Sequence, residues 1–268
     1  MAHLVVFTDL DGTLLERKTY SAAKSRKAIN ELKKMGIPLI FCSSKTKREI
    51  EIYRKRLGNR APFIAEDGSA IYIPKNYFNF RFDYSRKDGK YKVIELGVPV
   101  HHILHFNRFL KMKGIDIIGF NDVTPEYIKA ITNLPYSEAK LTKKRSYSEP
   151  LLLLDRKQEK RLRDLVSSHG LNVLKAGMFY IIVGKTSKGT AARKLLHLFR
   201  KKFGGVESIA FGNSENDFEM LKTADKGFLV QKPDRKYESP RFRKAKGIGP
   251  EGFSNIILEI LAQSVNHK

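Results

Sequence analysis

Two carboxylates stand two residues apart at the end of an apolar run. Leu4-Val5-Val6-Phe7 reads as a buried β-strand, and Asp9-Leu10-Asp11-Gly12-Thr13 follows it directly. In an open α/β sheet, ligands bind at the C-terminal ends of strands. Side chains two apart on a strand lie on the same side, so Asp9 and Asp11 face one site. Gly12 lets the backbone turn sharply, and Thr13 adds a hydroxyl. Close carboxylates repel unless a cation sits between them, and a hard divalent cation such as Mg²⁺ prefers oxygen ligands. One carboxylate is then suited to nucleophilic attack and the other to acid–base work. The competing reading is a strand end followed by an ordinary Asp-Gly turn.

The N-terminal part alternates strand and helix. Ile29, Leu32 and Met35 recur at helical spacing, and Gly36 is a C-terminal stop. Residues 37–42 form a second buried strand. Thr46 and Glu49 fit a capping box that opens a helix with Ile50, Tyr53 and Leu57 on one face. Short strands are predicted at 62–65 and 70–73, around the turn Glu66-Asp67-Gly68-Ser69. The rhythm resumes late in the chain. Ala192, Leu195, Leu196, Phe199 and Phe203 make a helical stripe, residues 208–211 a strand, and Gly212-Asn213-Ser214-Glu215-Asn216-Asp217 the turn after it. A helix with Phe218 and Leu221, a strand at 227–230 and a helix at 253–261 follow.

The middle reads differently, with strands at 91–96, 115–120, 151–154 and 179–183 and helices near 103–109 and 159–166. The fold predicted is α/β: a Rossmann-like parallel-sheet core over 1–81 and 185–268, with an inserted α+β module over 82–184 placed to cover the site.

With 268 residues, 41% hydrophobic and 29% charged, the chain is globular and long enough for two domains. No apolar run approaches the roughly 20 residues of a membrane span, and no signal peptide precedes the first strand. The single cysteine, Cys42, lies in an apolar run, which reads as a buried inert thiol and suits a reducing cytoplasm. Fifty-one Lys and Arg against 28 Asp and Glu give a net charge of +23. Nucleic-acid affinity, attraction of a polyanionic small substrate, and surface adaptation to heat each account for such a balance. The densest basic segment, 232–246, has few aromatics interleaved and reads as a solvated loop. No specific nucleic-acid partner is expected. Oligomeric state is left open.

Four polar clusters each follow a strand or open a helix. They are Asp9/Asp11; Ser43-Ser44-Lys45-Thr46, rich in hydroxyls and free N–H groups for a phosphate; Lys188-Gly189-Thr190, with a lysine to neutralise phosphoryl oxygens; and Asn213/Asp217, with further oxygen ligands. Singly, each is explained by helix capping or by an exposed lysine. Their order is more specific.

In that order the chain resembles the haloacid dehalogenase superfamily of aspartyl-phosphate phosphatases, in the branch with an α+β cap. Over nearly its full length it is similar to the mannosyl-3-phosphoglycerate phosphatase family. The likeness rests on Phe41-Cys42-Ser43-Ser44-Lys45-Thr46, Ile64-Ala65-Glu66-Asp67-Gly68-Ser69-Ala70, Asn121-Asp122-Val123, Arg145-Ser146-Tyr147-Ser148-Glu149, Gly177-Met178-Phe179-Tyr180 and Gly249-Pro250-Glu251-Gly252-Phe253. The resemblance implies Asp9 as nucleophile and Asp11 as acid and base. It implies Mg²⁺ held by Asp9, the Asp11 carbonyl, Asn213 and Asp217. Ser43 and Lys188 would hold the phosphoryl oxygens, and Gly12, Thr13, Ser44 and Lys45 would line the phosphate end. Arg145, Ser148 and Glu149 would meet the carboxylate and sugar hydroxyls from the cap. The implied substrate is a phosphorylated sugar–glycerate.

The chain departs from the family pattern at four positions. Asn213 stands where the pattern has Asp, which removes one negative charge and predicts Mg²⁺ binding weaker by about one to two orders of magnitude. Asp67 stands for Asn, Met178 for Arg, and Ser146 for an acid. A phosphatase for another phosphorylated sugar and a weakly active phosphosugar-binding homologue are the alternatives.

Overall fold

A computed structural model describes residues 3–266. Strand β1 (His3–Thr8) sits inside a nine-stranded sheet. On one side of it lie β2 (Leu39–Cys42), β3 (Phe63–Ala65), β4 (Ala70–Pro74), β6 (Tyr91–Glu95) and β5 (Arg86–Asp88). On the other lie β11 (Val206–Gly212), β12 (Lys226–Gln231) and β13 (Arg243–Ile248). The run from β13 to β3 is parallel, and β4, β6 and β5 are antiparallel. Connections leave β1 in one direction toward β2 and arrive at β11 from the other, so the strand order switches between β1 and β11. Asp9 and Asn213 follow those two strands, at the crevice where such sheets bind ligands.

Alternation along the strands builds two apolar layers. Val6, Phe41, Phe211 and Val230 pack against α1 (Arg26–Lys34), α2 (Lys47–Leu57) and α9 (Pro250–Asn266). Val5, Phe7, Ile40, Cys42 and Leu229 pack against α7 (Lys188–Phe203) and α8 (Phe218–Thr223). Thr46 caps α2 with the full capping box, and Gly58 closes it in the left-handed conformation.

The inserted module carries a four-stranded antiparallel sheet in the order β7 (Ile117–Gly119), β8 (Ser148–Leu153), β10 (Phe179–Gly184), β9 (Leu171–Ala176). Leu151, Leu153, Tyr180 and Ile182 pack under α3 (Val100–Met112) and α6 (Glu159–Ser168). The intervening Pro150, Phe179 and Ile181 face the core domain. Two short helices, α4 (Pro125–Thr132) and α5 (Tyr136–Thr142), complete the module.

One expectation is corrected here. The strand at 91–96, assigned from sequence to the inserted module, pairs with β4 in the larger sheet. Its antiparallel alternation suits either sheet, so periodicity does not assign it. We propose that the module begins after Gly97 and ends at Gly184. A Cβ on Gly184 would lie 2.9 Å from the Val98 nitrogen, so the two chain crossings run side by side. The end of the basic segment is also not loop: β13 is an edge strand with Arg243, Lys244 and Lys246 exposed and Ala245 buried. Charged residues on an edge discourage pairing with another sheet. Strand β9 and helices α4 and α5 are not among the elements expected from the sequence; β9 breaks strict alternation at Val173-Leu174. Among the described residues no helix is long and apolar enough to cross a membrane.

Candidate active site

β1 ends at Thr8 and delivers Asp9 into a buried position, where Lys188 reaches it from the first turn of α7. Lys188 Nζ donates to Asp9 Oδ1 and to Asp217 Oδ1, both at 2.7 Å, and the lysine is only 1% exposed. Burial works against the charge of such an ammonium, but Asp217 and Asp9 outweigh it and hold the pKa above the usual lysine range. Burial pushes the Asp9 carboxyl up to about 7. Lys188 opposes that shift, while Asp217 and Asp11 add to it. Thr13 Oγ1 lies 3.4 Å from Asp9 Oδ2.

Both oxygens of Asp217 are engaged, Oδ1 by Lys188 alone. Its Oδ2 accepts from the Asn213 and Ser214 backbone N–H groups at 2.9 and 3.1 Å, which closes the turn after β11. In this arrangement Asp217 fixes Lys188 and shapes the Asn213 turn.

Asn213 faces the first turn directly. Its Nδ2 donates to the Asp11 carbonyl at 2.7 Å. That approach needs Gly12, which has φ +78° and whose Cβ would lie 2.5 Å from Asn213 Nδ2. Rotating the amide by half a turn presents its oxygen instead. The Asp9 carboxylate, the Asp11 carbonyl and the Asn213 amide then form an all-oxygen set carrying one formal negative charge. A hard cation that keeps several waters fits such a set.

Asp11 is 35% exposed at its side chain and pairs with Lys45 Nζ at 3.0 Å. Lys45 is buried over the Tyr20 ring, with Glu49 3.9 Å away. Burial works against its charge, and Asp11 and Glu49 more than restore it. Ser43 is fully buried and its Oγ accepts from the Lys45 N–H at 3.2 Å. Cys42 behind it is buried, and burial pushes its thiol pKa up, which leaves it inert.

Asp9, Asp11, Ser44, Lys45, Asn213 and Arg145 line one cleft of about 500 Å³ between core and cap. Arg17 and Lys18 add exposed cations at its rim. Phe120, Met178, Phe179 and Ile181 form the apolar cap wall, and Met178 is 53% exposed. Of the three cap residues expected at the ligand, only Arg145 reaches the cleft. Ser148 is buried between Arg145 and Glu66, and Glu149 is buried with its Oε1 on the Asn121 N–H at 2.7 Å. Neither lines the cleft: Ser148 ties the cap to Glu66 of the core, and Glu149 holds the Asn121 turn within the cap.

Sequence reasoning missed Glu66. From the core it accepts from Ser146 N–H, Tyr147 N–H and Ser148 Oγ–H at 2.9, 2.9 and 2.7 Å. Arg145 Nη1 completes the latch by donating to the Ser44 carbonyl at 3.0 Å and to Ser148 Oγ at 2.8 Å. Glu66 and Asp67 both adopt positive φ, +50° and +55°, a strained geometry for non-glycine residues. Gly68 lets this turn meet α7, since a Cβ there would lie 2.0 Å from the Ser187 carbonyl oxygen. Asp67 Oδ1 accepts from Asn216 Nδ2 at 2.9 Å, which ties the Glu66–Ser69 turn to the turn after β11.

Residues 6–236 match the family model described as haloacid dehalogenase-like hydrolase. The chain belongs to the haloacid dehalogenase-like hydrolases. Within that family it is 41% identical, over 98% of both chains, to the glucosyl-3-phosphoglycerate/mannosyl-3-phosphoglycerate phosphatase of Methanococcoides burtonii. It is 42% identical to the mannosyl-3-phosphoglycerate phosphatase of Pyrococcus furiosus, over 84% of this chain and 90% of that one. A solved haloacid dehalogenase-like hydrolase of B. subtilis shares the fold, with a TM-score of 0.68 at 15% identity over 96% of this chain and 99% of that one. A Thermotoga maritima structure does so at 0.66 and 19%, over 97% of each chain.

Proposed function

We propose that this haloacid dehalogenase-like hydrolase is a phosphatase of glycosyl-3-phosphoglycerates, releasing mannosylglycerate and phosphate from mannosyl-3-phosphoglycerate. The observation that carries the reading is Lys188, held at 2.7 Å between Asp9 and Asp217 beside a cleft rimmed with cations. The names of the relatives supply the substrate class.

Asp9 attacks phosphorus, and the bond from phosphorus to the glycerate oxygen breaks with its electron pair on that oxygen. Asp11 gives the leaving oxygen a proton and later takes one from the water that attacks the phospho-aspartate. That second attack frees inorganic phosphate and restores the Asp9 carboxylate. Lys188 keeps Asp9 oriented in a water-poor site. Arg145, Arg17 and Lys18 match the two anionic groups of the substrate, its phosphate and its carboxylate. Asp9, the Asp11 carbonyl and Asn213 would hold Mg²⁺, which would supply charge neutralisation for the phosphoryl oxygens. The cap wall excludes bulk water.

Phosphate release with Mg²⁺ from mannosyl- and glucosyl-3-phosphoglycerate, beside a panel of hexose phosphates, tests this. The two glycosyl phosphoglycerates should lead, with Asp9→Asn silent. Faster release from an unrelated phosphosugar contradicts the substrate assignment, and release from none contradicts the enzyme reading. The Asn213–Asp11 hydrogen bond favours one second reading, a phosphosugar binder with little turnover. That reading expects tight binding, negligible release and recovery in Asn213→Asp.

A further inference from the structure

Among the described residues, the one side chain that holds the Asp11 carboxylate is Lys45, whose Nζ lies 3.0 Å from Oδ2. Asp11 Oδ1 is shut in without a hydrogen-bond partner, which leaves Oδ2 as the oxygen toward the cleft. The nearby Thr13 hydroxyl is turned to Asp9 instead. The direction of this half-exposed carboxylate therefore depends on Lys45.

Lys45 is itself held on every side and is only 4% exposed. Its ammonium lies 4.9 Å from the Tyr20 ring centre and 5.6 Å from that of Tyr53. Both rings are tied to the cap. The Tyr20 hydroxyl donates to the Thr132 carbonyl at 3.2 Å, and the Tyr53 hydroxyl donates to Glu138 Oε2 at 2.6 Å. Glu49, the other carboxylate near Lys45, is engaged in capping α2: its Oε2 accepts from the Thr46 N–H and hydroxyl at 2.9 and 2.7 Å. A lysine enclosed in this way has given up the rotamer freedom it has in water, so its ammonium is a fixed point beside Asp11.

We propose that Lys45 is the positioning residue that aims Asp11 at the leaving oxygen, a role different from lining the phosphate end, and one that rests on the phosphatase reading above. As the phosphorus–oxygen bond breaks, its electron pair stays on the leaving oxygen, and the proton on Asp11 Oδ2 moves to that oxygen. The carboxylate left behind faces the Lys45 ammonium, which keeps its own protons throughout. The charge that forms on Asp11 is thus compensated from 3.0 Å, in a site where burial strengthens such a pair.

The test is kcat/KM for phosphate release with Mg²⁺ from p-nitrophenyl, phenyl and ethyl phosphate. That constant covers the steps through phosphoryl transfer to Asp9, so slow hydrolysis of the phospho-aspartate does not mask it. p-Nitrophenolate leaves without a proton, whereas the oxygen of ethanol needs one. Lys45→Met should lose about threefold or less on p-nitrophenyl phosphate and about 30-fold or more on ethyl phosphate, with phenyl phosphate between and Asp11→Asn as the limit. Lys45→Arg, which keeps a charged donor, should recover much of the loss. A partly unfolded preparation scales all three esters alike and leaves their ratio untouched, and Lys45→Gln reads the same ratio should Lys45→Met not fold. A uniform loss, as a lost phosphate ligand would give, overturns the proposal, and so does wild-type behaviour. A changed ratio in Asp11→Asn with none in the Lys45 variants strikes the Lys45 role alone. An unchanged ratio in Asp11→Asn strikes the acid–base reading of Asp11 and this proposal with it, and release from no ester by the wild type strikes the phosphatase reading.

Discussion

Asn213 donates an amide hydrogen to the Asp11 carbonyl across 2.7 Å, and Gly12 is what allows the approach. The same amide, rotated, offers an oxygen to a cation. Asn213→Asp removes the donor and places a carboxylate against that carbonyl. Mg²⁺ affinity by isothermal titration should rise about 10- to 100-fold, while stability without metal falls by about 1–2 kcal/mol in urea melts.

Lys188 carries two buried carboxylates at once. Lys188→Met leaves both uncompensated, which should cost about 3–5 kcal/mol of stability by chemical denaturation. Phosphate release should fall by about 10²-fold or more in kcat, the scale of losing one charge-stabilising donor.

Glu66 ties the core to the cap segment that carries Arg145. Glu66→Gln keeps the shape but loses charged acceptance, at about 1–2 kcal/mol. Because Arg145 is positioned through Ser148, the kinetic effect should fall on KM, with kcat nearly unchanged.

Burial raises the Glu149 carboxyl from 4.5 to about 7, against the Asn121 hydrogen bond. Between those values the folded state binds more protons than the unfolded one, so stability is fully present below about pH 4.5 and is lost as pH rises through about 7. Glu149→Gln should remove roughly 3 kcal/mol of that decline, read as a flatter Tm-against-pH profile. Asp9, raised by burial in the same direction, keeps its own share of the slope.

The legible parts of the site are local. A strand ending in Asp9-Leu10-Asp11-Gly12 and another ending in Gly212-Asn213 each announce their own turn. The capping box at Thr46 and Glu49 does the same for α2. What escapes is set by distant pairing. Ser148 and Glu149 sit on β8, where the sequence shows polarity but not whether each side chain meets the cleft or the interior. That depends on tertiary packing around the strand. Glu66 finds its partners in backbone N–H groups some eighty residues away, which carry no sequence signal. The strand at 91–95 joins the core sheet because β4 offers it an antiparallel edge, a fact of packing and not of periodicity.

The most direct test of the central claim is to find where the phosphoryl group goes. Wild-type chain turning over mannosyl-3-phosphoglycerate with Mg²⁺, quenched in acid and digested, should yield the peptide containing Asp9 with a phosphoryl group on that carboxylate. Asn213→Asp should show more of it, and Asp9→Asn none. Active enzyme with Asp9 unmodified, or with the phosphoryl group on another residue, would contradict the account.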